Sequence, residues 1–469
     1  LNDKPVPDHA KADVIIIGAG ASGISAAIAL ASAGLSIALL EARDRIGGRI
    51  YTLQDPELHA PVELGAEFIH GRPSEILDLL KARHVQIREV DGDNWCVEEG
   101  RASPCDFFSD VDQILQKMRE HKNRDESFAD FLKHSTSQLP DTPSLRRAKQ
   151  WATGYVSGFN AADPALVSVN WLVQEMHAEE KIEGDRAFRA EHGYADLIEI
   201  FEQQMLESGI SLQMNTIVER IQWRKGQVEI TASGANEIVT FSAPRVLITV
   251  PLGVLQAQHE DRGAIRFVPE LPQQKQNAIR HIAMGKVIRV TLRFRERFWK
   301  DLPHSRETHS KSMDGMSFLF SHDDWFPTWW TTAPVELPLL TGWAPFHCAS
   351  RLSGQSESFV IEHGIAALHR LLGVSIQELA GLLEHAYFHD WQTDPFSRGA
   401  YSYGKVGGDQ APKALAMPVD STLFFAGEAT DANGLNGTVH SAIASGRRAA
   451  LEIANSAKVK LDWKSVKAS

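Results

Sequence analysis

Residues Asp13-Val14-Ile15-Ile16-Ile17-Gly18-Ala19-Gly20-Ala21-Ser22-Gly23 decide the fold of this chain. The apolar β-branched run reads as a strand buried on both faces of a parallel sheet. It passes through Gly-x-Gly-x-x-Gly into a helical stretch at 24–33, rich in Ala, Ile and Leu. A second strand at 36–40 ends in Glu41. Gly18 permits the tight turn, Gly20 lets backbone approach a pyrophosphate, and Gly23 lets the helix pack on the strand. The helix N-terminus offers free N–H groups and partial positive charge to phosphate. Glu41 stands where a carboxylate accepts hydrogen bonds from ribose hydroxyls. A glycine triplet alone is weak evidence. Strand, turn, helix, strand and acid in sequence are a dinucleotide-binding signature.

The next segment reads Glu41-Ala42-Arg43-Asp44-Arg45-Ile46-Gly47-Gly48-Arg49. Gly47 and Gly48 permit close backbone approach, and Arg43 or Arg49 can neutralise phosphate. This turn resembles the second glycine motif of the flavoprotein family that includes amine oxidases, protoporphyrinogen oxidase and phytoene desaturase. The resemblance implies a Gly-Gly-Arg turn set against the FAD pyrophosphate.

The rest of the composition bounds the answer. The chain has 469 residues, 43% hydrophobic and 23% charged, enough for a large core and two to four domains. No window holds the roughly 18 unbroken apolar residues of a membrane helix, so the chain reads as soluble with no membrane partner. A formal charge of −12 argues against nucleic acid and suits cationic ligands. Cys96, Cys105 and Cys348 include no CxxC pair; one bridge is open to them, and three idle thiols are expected. No metal-ligand spacing stands out, so no metal is expected. The chain opens at Leu1 rather than Met, with a polar tail to Lys11. Cytoplasmic residence and export after leader removal both stay open, as does the oligomeric state.

Residues 74–190 read as mostly amphipathic helices. Strand patterns recur near 211–232 and 238–250, then at 286–294, 316–320 and 338–343, with a helix at 359–372 and a Trp cluster at Trp299, Trp325, Trp329, Trp330 and Trp343. Leu423-Phe424-Phe425-Ala426-Gly427-Glu428-Ala429-Thr430 reads as strand and glycine exit, and Thr438-Val439-His440 opens a last helix. One α/β domain is thus written in pieces around an inserted one. The expected parts are 1–72, 191–257 and 405–469 for a discontinuous Rossmann-like FAD-binding domain, and 73–190 and 258–404 for an α+β substrate-binding domain.

Taken together, the sequence resembles a flavin-dependent amine oxidase of the polyamine oxidase and histone-demethylase-like branch, from about residue 12 to 455. The motifs that carry the resemblance are the glycine triplet, the Gly-Gly-Arg turn, Gly65-Ala66, Val218, Lys286, Trp391 to Tyr403, Gly427-Glu428-Ala429-Thr430 and Thr438-Val439-His440. It implies non-covalent FAD, because Ala400 stands where monoamine oxidases attach the flavin through Cys. It implies that Glu41 meets the adenosine ribose, Val218 the adenine, Glu428 the ribityl–phosphate region, and Thr438 and Val439 the flavin pyrimidine. Lys286 would sit opposite flavin N5 through a water. Tyr401 would be one wall of the substrate cage, with Leu435 or Gly434 at the other. The implied chemistry is hydride transfer from the carbon beside an amine nitrogen to flavin N5, with O2 reduced to H2O2.

The substrate side is read from Glu63-Leu64-Gly65-Ala66-Glu67-Phe68-Ile69-His70-Gly71. L-amino acid oxidases of this kind carry an Arg soon after Gly-Ala; here none falls before Arg72, which disfavours a carboxylate substrate. The ending resembles animal-type polyamine oxidases, which places His70 near the substrate nitrogen and Glu67 and Phe68 in the pocket. The acidic run Glu175, Glu179, Glu180, Glu183 and Asp185 is expected to be a solvated helix face; lining a polyamine tunnel is the alternative. Other readings are a protoporphyrinogen oxidase-like or desaturase-like flavoenzyme, a monoamine or L-amino acid oxidase, a demethylase working in an assembly, and a non-catalytic FAD scaffold.

Overall fold

The computed structural model describes residues 12–121, 124–234, 237–302 and 312–461; the polar tail to Lys11 lies outside them. Strand Val14–Ile17 is the centre of a five-stranded parallel sheet. On one side of it lie Ile37–Leu40 and then Ser211–Gln213, and on the other Val246–Ile248 and then Leu423–Phe425. Every residue of Val14–Ile17 is buried, as the unbroken apolar run requires. Alternate side chains go to opposite faces. Val14, Ile16 and Leu39 pack under helices Ala21–Ser32 and Val439–Ala457. Ile15, Ile17, Ala38 and Leu40 pack on an antiparallel sheet of Ile217–Arg224, Gln227–Ser233 and Ile238–Ala243. Strand Arg266–Val268 adds to that sheet, and Ala278 and Ile279 pack on it, although the sequence reading gave these residues to the second domain.

A mixed seven-stranded sheet forms the other half of the molecule, in the order Leu383–His389, Val287–Phe294, Leu339–Pro345, Thr328–Trp330, Met316–Phe320, Asp93–Glu98 and Arg101–Pro104. Four helices flank it: Phe107–Arg119, Phe128–Thr136, Pro143–Gly158 and Val169–Glu179. Each begins at a capping side chain, Asp106, Ser127, Thr142 and Ser168, that accepts the amide three residues on.

The stretch 74–190 is built mainly of helices, as expected, and it also holds short strands that the sequence did not show: Ile87–Glu89, a hairpin of Asp93–Glu98 and Arg101–Pro104, and Ala187–Ala190. Glu99 and Gly100 both have positive φ, the geometry of a two-residue hairpin turn, and Trp95 and Val97 alternate into the core. One expectation needs correction here: the cysteines are not three idle thiols. The hairpin register brings Cys96 and Cys105 to a Cα separation of 5.6 Å, and they form a disulfide. Cys348 is free and buried. No helix among the described residues is long and apolar enough to cross a membrane.

Candidate active site

A cavity of about 1210 Å³ runs from the glycine turn of the parallel sheet to the aromatic face of the seven-stranded sheet. At one end, Gly20 and Gly47 form an isolated bridge, so the two glycine turns lie backbone to backbone. A Cβ on Gly48 would stand 3.3 Å from the Gly20 Cα. Helices Ala21–Ser32 and Val439–Ala457 cross closely: a Cβ on Gly446 would stand 2.2 Å from the Ser22 carbonyl oxygen. Both helix N-termini reach the cavity, through Gly20, Ala21 and Ser22 in one case and Thr438, Val439 and His440 in the other. Thr438 Oγ1 accepts the Ser441 amide, which leaves the first-turn amides before it without intrahelical acceptors.

Glu41 lines the same end. Its carboxylate accepts the Ala19 amide at 2.8 Å and the Arg43 amide at 2.9 Å, and burial pushes its pKa up. Arg43 spends most of its charge on protein, with one nitrogen 2.8 and 2.9 Å from the two Asp394 oxygens. Arg49 pairs with Glu428 at 2.9 Å and donates to the Ala400 carbonyl at 2.7 Å. Glu428 also accepts from Ser402 Oγ at 2.6 Å and the Gly437 amide at 2.9 Å. This network ties the 400–403 segment to the last helix. Trp391 donates to the Leu64 carbonyl at 2.7 Å, which fixes the floor beneath Gly65 and Ala66.

The other end is aromatic. Phe68, Phe159, Trp330, Trp343 and Tyr401 line it. Tyr401 donates its hydroxyl to the Phe159 carbonyl at 2.6 Å, so its ring rather than its O–H faces the chamber. His70 lies 5.5 Å from the Phe159 ring, and burial lowers its pKa to about 4. His440 is lowered to about 3, by burial first and by His70 second. Both imidazoles are therefore neutral at pH 7. Glu175 and Glu179 stand one turn apart on helix Val169–Glu179 and both line the chamber. Asn160 donates to both Glu175 oxygens, at 2.8 and 2.7 Å. Burial raises both carboxyls, Glu179 to about 7, and their mutual repulsion raises Glu175 further.

The family model for flavin containing amine oxidoreductases matches residues 21–454. The chain belongs to that family. As a flavin-dependent amine oxidase it has relatives of near-equal length. It is 28% identical to Polyamine oxidase 3 of Oryza sativa subsp. japonica, over 93% of this chain and 88% of that one. It is 29% identical to Polyamine oxidase 2 of Arabidopsis thaliana, over 93% and 87%. Its fold matches wild-type putrescine oxidase bound to putrescine with a TM-score of 0.77, at 21% identity, over 95% of this chain and 100% of that one.

The cavity fits the FAD that the family uses. Two glycine turns without side chains, two helix N-termini and a buried acid at the strand end form a cradle for a dinucleotide. The volume exceeds that of an ordinary small-ligand site, leaving room for a substrate as well.

Of the residues singled out in the sequence, Gly18, Gly20, Glu41, Arg43, Gly48, Arg49, Gly65, Ala66, Val218, Trp391, Gly427, Glu428, Thr438 and Val439 all line the cavity, as do Glu67, Phe68, His70 and Tyr401. Gly23 lies behind it, packed on Gly18. Three others do not reach it. Lys286 is exposed, with Nζ 3.4 Å from Ser350 Oγ, because it precedes strand Val287–Phe294 and turns outward. Gly434 is packed on the Gln174 carbonyl. Leu435 is held in a turn whose amides bind the Asp431 carboxylate. Asn436 and Gly437 face the cavity instead, and a Cβ on Gly437 would stand 3.2 Å from the Tyr401 ring. The acidic run divides: Glu175 and Glu179 are half-buried and line the chamber, whereas Glu180, Glu183 and Asp185 are exposed, as expected of a solvated face. The sequence reading passed over Arg289 and Asn160, and it named Trp330 and Trp343 in the Trp cluster without giving them a place in the site. Arg289 carries a signal in hindsight, a charge inside an apolar strand pattern.

Proposed function

We propose that this flavin amine oxidase oxidises a C–N bond of a polyamine-type substrate, an amine that carries at least one further ammonium group. The observation that carries the reading is the Glu175–Glu179 pair in an aromatic chamber. Two half-buried carboxylates beside Tyr155 and Tyr401 suit a distant ammonium, and a simple monoamine has no use for them. The plant polyamine oxidases among the relatives support it, as does putrescine in the neighbour of like fold.

FAD, when bound, supplies the two-electron acceptor, and O2 restores it with release of H2O2. The protein's part is positioning and exclusion of water. Phe68, Trp330, Trp343 and the Tyr401 ring enclose the reacting end of the amine. His70, held neutral by burial, accepts a hydrogen bond from the substrate nitrogen at its imidazole. Glu175 and Glu179 take the far ammonium and fix how deep the chain of carbons enters.

The test is anaerobic reduction of the purified yellow protein by spermine, spermidine, N-acetylspermine, putrescine and benzylamine, one at a time. Polyamines bleach the flavin fast and benzylamine slowly or not at all. Bleaching by benzylamine alone would overturn the polyamine assignment.

The flavin is held without a covalent bond in this reading. Ala400 offers no nucleophile, and none of the three cysteines lines the cavity. Acid precipitation should release the yellow colour into the supernatant; colour that stays with the protein pellet would defeat the point.

A further inference from the structure

Strand Val287–Phe294 brings one cation to the cavity wall, and it is not Lys286. Arg289 is 6% exposed and lines the cavity between the Gly65-Ala66 turn and the aromatic chamber. One guanidinium nitrogen donates to the Gly65 carbonyl at 3.1 Å and another to Glu67. The guanidinium also lies 5.5 Å from the Trp330 ring centroid. Its Nε–H is buried and has no hydrogen-bond partner. A buried donor left unmet is unfavourable unless a ligand meets it.

The charge around it does not cancel. Glu67 accepts from Arg289, from Arg189 at 2.8 Å and from Trp330 Nε1 at 3.0 Å. Two guanidiniums thus share one carboxylate. Burial raises that carboxyl, but Arg289 and Arg189 more than offset it and hold it below the usual range. Glu63 also stands in electrostatic range of Arg289 and Glu67, but burial raises its carboxyl to about 8 and favours its neutral form at pH 7, so the cluster keeps a net positive charge at the seam between cradle and chamber.

We propose that Arg289 sets the redox potential of the bound flavin by holding this uncompensated charge at the place where cofactor and amine meet. Accepting two electrons and one proton leaves a flavin one charge more negative. A fixed positive charge nearby favours that state. A guanidinium does not lose its proton at working pH, so the charge is permanent. Glu67 acts through Arg289 and trims the charge; it is a positioning residue.

The experiment measures the midpoint potential of the bound flavin in the full-length holoenzyme and in four variants. Arg289→Gln disfavours reduction about tenfold, about 30 mV lower for a two-electron couple. Glu67→Gln, which leaves two guanidiniums unbalanced, shifts the potential upward. Arg289→Lys restores most of the loss. Lys286→Met, outside the cavity, leaves the wild-type value. General loosening of the site would move the Arg289 and Glu67 variants in the same direction, so opposite signs separate charge from structure. If Arg289→Gln holds no flavin, Glu67→Gln and Arg289→Lys still decide. Potentials that stay at the wild-type value in Arg289→Gln and Glu67→Gln, or a shift in Lys286→Met alone, overturn the proposal. The inference rests on FAD occupying the cradle. Wild-type protein that binds no flavin would sink that reading too, whereas flavin-loaded variants with unshifted potentials sink only this one.

Discussion

A Gly23→Ala variant is expected to lose its flavin and much of its stability. A Cβ built on Gly23 stands 1.9 Å from the Gly18 carbonyl oxygen and 2.9 Å from Thr249 Oγ1. The first of these is backbone, so no side chain can swing aside. Relief requires helix Ala21–Ser32 to move off strand Val14–Ile17, and that helix is held on its other side where Gly446 meets the Ser22 carbonyl. Overpacking in cores costs typically 1–3 kcal/mol, and a backbone clash belongs at about 3 or above. Any shift also pulls the helix N-terminus from the phosphate position. The measurement is flavin content per protein together with the thermal midpoint. Gly381→Ala is the control: Gly381 lies in helix Ile376–Leu382 with nothing within 4 Å of its would-be Cβ. Removing backbone freedom from the unfolded chain should stabilise that variant by about 0.4–1 kcal/mol. A flavin-replete Gly23→Ala protein that melts with the wild type would refute the packing account.

The parallel sheet was legible because its strands are short apolar runs next to glycine turns, and local chemistry suffices to read them. The hairpin at 93–104 was not legible, because its strands are partly polar and its place depends on pairing with Met316–Phe320, far away in the chain. The site was lost in places for a similar reason. In strand Val287–Phe294 the odd positions Arg289, Thr291 and Arg293 meet Glu67, Thr341 and Asp55. Ile288, Val290, Leu292 and Phe294 fill the core on the other face. The two-residue period therefore marks Arg289 as inward and polar. Lys286 stands before that period begins, and family position alone singled it out. Leu435 and Gly434 were reached by counting along the chain, but the turn around Asp431 and Asn436 rotates them away. For Glu175 and Glu179, helix spacing places them on one face; which face is covered depends on the packing of other helices.

Replacing both Glu175 and Glu179 by Gln should cut kcat/KM for a polyamine by about 100-fold or more, and leave turnover of benzylamine, however slow, within about threefold. A hydrogen bond to a charged group contributes about 1.5–3 kcal/mol, and each 1.4 kcal/mol is tenfold. The pH dependence carries the same signature. Burial raises both carboxyls, Glu179 to about 7, so in the empty chamber they hold protons that a bound ammonium needs removed. The KM of wild type for the polyamine should therefore fall as pH rises through about 7, and the double variant should lose that dependence. Stability runs the opposite way. A carboxyl with a raised folded-state pKa adds stability below its unfolded value, near 4.5, and that contribution is lost as pH rises through about 7. Above pH 7 the double variant should therefore melt no lower than wild type, which separates lost recognition from lost folding. Equal loss toward polyamine and monoamine, or an unchanged KM–pH profile in the double variant, would show that the pair does not hold the distant ammonium.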